Sequence, residues 1–152
     1  MALEFSTAGI TLKYAIEATA GSKPASFTSI PDVVSIEAIN EEPNMLDVTN
    51  LADLEWTREI PGLRSSGGAL NVTVNGTQAF KSVWTALYSS AKTALASNKA
   101  TWFEITVPGY NSAFFITGMP SDLGFFGAAV DEVYRGDVYI SKNTYEGWGA
   151  IV

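Results

Sequence analysis

The chain has 152 residues, a net charge of −7 and neither cysteine nor histidine. Those two absences exclude disulfides, thiolate nucleophiles, cysteine-held zinc or iron–sulfur groups, and the Ser-His-Asp and Cys-His mechanisms. The acidic balance argues against gripping nucleic acid by its phosphates, while 47% apolar and 16% charged residues describe a globular chain, read as a single domain over 1–152.

The opening residues show no basic segment followed by an apolar one, so no secretory signal is expected, and no run of eighteen apolar residues predicts membrane insertion. Residues 9–18 alternate, with Ile10, Leu12, Tyr14 and Ile16 on one side, which predicts a half-buried strand. A Gly/Ser/Pro-rich loop follows to about Ile30, then a second strand over Val33–Ile39. The stretch from about 40 to 68 is long, acidic and broken by Pro43, Pro61, Gly62, Gly67 and Gly68. Connections of this length are usually functional or disordered. Met45, Leu46, Val48, Leu51, Leu54, Trp56 and Ile60 argue against disorder, and 54–60 could hold a short strand.

Alternation resumes at Leu70–Asn75 and stops at the turn pair Asn75-Gly76. The one clear helix is expected at about 77–98. Phe80, Val83, Trp84, Leu87, Tyr88, Ala91, Ala94 and Leu95 recur at helical spacing behind the N-cap candidate Thr77. Strands at 102–107 and 113–117 form a hairpin across Pro108-Gly109-Tyr110-Asn111. Residues 119–127 read as loop, 133–141 as a last strand, and 142–152 as an aromatic, glycine-rich tail. The fold class is α+β, mainly β, with two packed antiparallel sheets (a sandwich or barrel), one flanking helix and one long inter-strand loop.

Little in the sequence suggests catalysis. Glu41-Glu42 reads as a solvated turn. Asp47, Asp53, Glu55 and Glu59 are the carboxylates a divalent cation would want, but their spacing fits no EF-hand loop. Gly62–Gly68 lacks the lysine and following helix of a phosphate cradle. No catalytic, cofactor-binding or metal-binding residues are assigned, and an enzyme is not expected. The charge distribution says more. Residues 31–63 hold eight of the sixteen acids with Arg58 as the only base, whereas 77–98 holds two lysines and no acid. One surface is therefore expected to be strongly negative.

The chain resembles the major tail tube proteins of long-tailed bacteriophages, nearly end to end. The likeness lies in Gly9–Ala15, in Ile30–Ile36, and above all in Asp47-Val48-Thr49-Asn50-Leu51 leading to Ile60-Pro61-Gly62-Leu63 and Gly67–Leu70. The helix bearing Trp84, Gly118–Gly124 and Asp137–Ser141 follow in order. The resemblance implies a structural virion protein of the phage tail, assembled in the host bacterial cytoplasm. Six copies would close into a ring, rings would stack into a hollow tube, and the long loop would bridge rings. Partners would be the chain itself and tail proteins such as the tape measure and tail terminator. Double-stranded DNA would pass without specific binding, and no cofactor is implied.

Within that reading, Leu46, Asp47, Thr49, Leu51, Asp53, Trp56 and Ile60 are the stacking-loop candidates, with Asp47 and Thr49 shaping the turn. Glu37, Glu55 and Glu59 are the lumen-facing candidates, where negative charge would repel phosphate. A type VI secretion-like or tail-like-particle tube protein is the nearest alternative. A monomeric β-barrel or sandwich that binds a ligand on Tyr110, Phe125, Phe126 and Trp148 is a second.

Overall fold

The computed structural model describes residues 4, 6, 8–40, 42–65 and 68–152. Glu41 and Gly67 of the sequence reading lie outside them. In chain order the elements are β1 (Thr11–Ile16), β2 (Thr28–Ser29), β3 (Val33–Ile36), β4 (Glu42–Asp47), β5 (Glu59–Ser65), β6 (Ala69–Asn75), α1 (Gln78–Ala96), β7 (Thr101–Thr106), β8 (Ser112–Pro120) and β9 (Arg135–Ala150). Among the described residues the protein is mainly β, with two antiparallel sheets and a single helix, the fold class its sequence predicts. Seven strands make the larger sheet, in the order β2-β1-β7-β8-β9-β6-β3, and β4 pairs only with β5.

Alternation explains how each strand sits. On β1, Leu12 and Tyr14 face the main core and Ala15 the opposite side. On β7, in the middle of the sheet, Trp102, Phe103 and Glu104 are all buried, so this strand is covered on both faces. Phe103, Phe114 and Ile116 join Leu70, Val72, Val74, Val138 and Ile140 in one cluster. Phe27 covers the reverse face by packing on Phe115, with ring centroids 5.8 Å apart, and the Lys23 ammonium sits 3.7 Å from the same ring.

The strand β9 ties the sheet together. Its first part, Arg135–Ser141, pairs with β6, and its second, Ile140–Ala150, with β8. Both halves of the sheet therefore send side chains into one core, which α1 closes with Phe80, Trp84 and Leu87. Each such burial contributes about 1.5–3 kcal/mol. Thr77 caps the helix by accepting the Phe80 N–H at 3.2 Å, and its hydroxyl also bonds the Asp32 carboxylate.

Two sequence expectations are corrected. The tail at 142–152 is strand as far as Ala150, because Gly147 and Gly149 lie opposite Phe115 and Ala113. Its alternation is aromatic against glycine, which is not the usual apolar–polar signal. The segment 54–60 is not a strand of its own. Residues 42–65 form a hairpin, with Leu46 opposite Ile60 and Asp47 opposite Glu59. Gly118 marks the register shift where β8 meets β9. A Cβ there would lie 2.5 Å from the Ser141 carbonyl oxygen.

The accessible surface is 9821 Å², against roughly 7,500 Å² for a compact monomer of this mass. The β4–β5 hairpin contributes nothing to the core clusters.

Candidate assembly arm

The hairpin grows out of the edge of the body. Strands β3 and β6 pair antiparallel, Ile36 opposite Val72, and the Glu37 N–H donates to the Asn71 carbonyl at 3.1 Å. The chain between them would otherwise be an ordinary turn. Here it is drawn out into a second two-stranded unit, an arm of residues 42–65. Pro43 and Pro61 are compatible with it because each strand has one open edge, where a missing N–H costs no ladder bond.

The tip is held by its own polar groups. Asp47 accepts the Thr49 N–H at 2.8 Å, and the Thr49 hydroxyl oxygen accepts the Arg58 N–H at 2.8 Å. The Thr49 hydroxyl and N–H hold the Asp47 carboxyl below its ordinary range. Asn50 accepts from Ala52 at 2.8 Å. One Asp53 oxygen accepts both the Asn50 N–H and the Arg58 Nε–H at 2.9 Å. Across the neck, the Val48 N–H donates to the Arg58 carbonyl at 2.9 Å. These bonds give the tip a defined shape without any help from the body.

The apolar side chains have no such cover. Leu51, Leu54 and Trp56 are 101%, 92% and 80% exposed, and Met45, Leu46, Ile60 and Leu63 also face solvent. An isolated protein seldom displays so much contiguous apolar surface unless something else covers it. All seven stacking candidates, Leu46, Asp47, Thr49, Leu51, Asp53, Trp56 and Ile60, lie on this arm. Of the lumen candidates, Glu55 and Glu59 are on it too. Glu37 stands at its root on the body, its carboxylate accepting the Asn71 N–H at 3.1 Å.

Asp47 and Asp53 are engaged by donors of the tip. Among the described residues no group of His, Cys, Asp or Glu side chains is placed to hold a metal ion. No described helix is long and apolar enough to cross a membrane. The four aromatic residues considered as a ligand platform fall into two groups. Tyr110 packs edge-on against Trp148 at 5.3 Å, and Phe125 and Phe126 pack on Tyr134 at 5.7 and 5.3 Å. The latter group lines a cavity of about 530 Å³ beside the start of α1.

No family model matches the chain, and no curated protein matches it in sequence. A solved structure does match in fold. It is a chain of the anti-feeding prophage (AFP) baseplate, a cryo-electron microscopy structure symmetrised 6-fold. The match covers 100% of both chains at a TM-score of 0.65 and 8% identity. At that identity the likeness is one of fold.

Sequence reasoning missed the arm as a hairpin and gave no place on the body for its side chains to go. The available signal was charge: from Gly76 to Phe103 the chain carries three lysines and no acid.

Proposed function

We propose that this protein is a structural subunit of a phage tail or tail-like particle, the protomer of six-membered rings that stack into a hollow tube. The observation that carries the reading is the arm. It is pre-shaped, acidic, apolar at its tip and uncovered in the single chain. The end-to-end likeness in fold to a chain of a 6-fold symmetrised baseplate supports the same class of assembly. The edges of the large sheet, β2 and β3, offer unpaired backbone that ring closure would satisfy. The work assigned to the chain is shape, with no catalysis. Its partners are other copies and the proteins that set tube length and cap its end, and double-stranded DNA passes through without being held. A tail-like particle that is not a phage would use the same architecture.

The expected result for the purified protein is concentration-dependent rings or hollow filaments in negative-stain electron micrographs. Single particles of one chain at every concentration would overturn the reading. A monomer that shows a saturable thermal shift with a small ligand would favour the binding-module alternative.

The lumen assignment has its own test. Replacing Glu37 and Glu59 by lysine is expected to leave tubes intact and to impair DNA ejection, since phosphates would adhere to a cationic wall. Undiminished infectivity of particles carrying both lysines would remove these two residues from the lumen.

A further inference from the structure

Beyond α1 the body has a groove whose chemistry is the inverse of the arm's. It lies at the C-terminal end of the helix, is lined by Ala91, Leu95, Lys99, Met119 and Lys142 among others, and measures about 330 Å³. That is at the small end for a ligand pocket and suits one or two large side chains. Leu95 is 61% exposed although it stands one helical turn from buried Ala91. The rim is cationic. Glu17, which lines the neighbouring hollow together with Lys99, is turned inward, 4% exposed with one oxygen accepting the Ala100 N–H at 2.6 Å.

Charge selects the occupant. Residues 42–65 hold five acids against two arginines, and residues 76–103 hold three lysines and no acid. The arm tip thus carries apolar side chains among carboxylates, and the groove carries apolar side chains among ammonium groups. We propose that the arm tip of one copy docks in the α1 C-terminal groove of a neighbouring copy, with Leu54 and Trp56 against Leu95 and Met119 and Glu55 facing Lys99 and Lys142. This rests on the reading that copies stack, and it names the surface that receives the arm. Opposite charges set the register, and burial of the apolar tip supplies the affinity.

The absence of native cysteine makes the test clean. Leu54→Cys and Leu95→Cys are made as separate single variants at exposed positions, mixed, assembled and oxidised. A disulfide requires the two Cα atoms within about 7 Å, so the expected product is a cross-linked species of twice the chain mass joining one variant to the other. Mixing single variants ensures that a link can form only between copies. Val130→Cys, on the exposed segment after β8, serves as the control site. Cross-linking of Leu54→Cys to Val130→Cys, or none to Leu95→Cys in well-formed tubes, would overturn the groove and leave stacking intact. Failure of the unmodified chain to assemble would overturn both. As an independent arm, Lys99→Glu is expected to raise the concentration needed for assembly several-fold and Glu55→Lys to restore it. An unchanged threshold in Lys99→Glu would also overturn the proposal.

Discussion

Deleting residues 44–58 is expected to leave a folded body that no longer assembles. No residue of the arm belongs to either core cluster, and its strands pair only with each other. The bonds at its tip begin and end within residues 47–58. The deletion therefore removes almost no burial from the body, and closing a shorter connection changes loop entropy by well under about 1 kcal/mol. Circular dichroism and thermal melting should show a transition within a few degrees of the parent.

Assembly is a different matter. If Leu51, Leu54 and Trp56 are buried between copies, each contributes about 1.5–3 kcal/mol. That corresponds to roughly tenfold or more in association per side chain. Losing all of them should abolish filaments at any practical concentration. Normal polymerisation of the deletion variant would end the stacking role, and loss of its cooperative melt would show that the arm is part of the folding unit.

The largest expected loss of stability is at Trp84. This side chain is fully buried, lies 5.6 Å from the Phe80 ring, and donates its Nε1–H to the Ser121 carbonyl at 2.9 Å. It thereby joins the helix, the core and the start of the segment that follows β8. Trp84→Ala is expected to cost about 3–5 kcal/mol, a large share of the roughly 5–15 kcal/mol a domain holds in total. For this chain length that is a fall in Tm of roughly 6–20 °C.

Trp84→Phe separates the two contributions, because it keeps most of the packing and removes the donor. It should cost less, with the loss concentrated in faster amide exchange at Ser121, whose N–H donates to Tyr139 at 2.8 Å. A Trp84→Ala protein melting within 2 °C of the parent, on the scale just given, would mean that the helix is not packed on the sheet as described.

The strands and the helix were legible where one physical rule governed a stretch. Leu70, Val72 and Val74 point to one core, and period two says so; Phe80, Trp84 and Leu87 do the same at period 3.6. Legibility failed where two rules competed. Pro43, Pro61 and Gly62 read as breakers, yet strands with an open edge tolerate them, so the arm looked like loop. Between 142 and 150 glycine takes the place where a polar residue was expected: a Cβ on Gly149 would lie 3.3 Å from the Phe115 ring of β8, and Gly147 holds a φ of +75° that favours glycine. Glu104 is a buried charged residue in an alternating strand, and alternation alone cannot show that the sheet is buried on both faces there.

The candidate arm was visible as apolar residues in an acidic stretch, since exposure of that kind needs only composition to be noticed. The groove proposed to receive it in a neighbouring copy was not. Ala91, Leu95, Met119 and Lys142 come from three separate elements, and only the fold brings them to one place.

The seven-pair contact between β6 and β9 has a mechanical side. The arm returns to the body at Ala69, the first residue of β6, and Ala69–Asn75 lie against Ser141–Arg135 in unbroken register. Interstrand bonds run across the strands. A pull along β6 therefore loads all of these pairs in shear together instead of peeling them one at a time. The strand that receives this tension is β9, which passes it on to β8 through its second half. Tension entering by the arm is thereby shared among β6, β9 and β8, so the part of the molecule that reaches outward is rooted in the interior of the sheet.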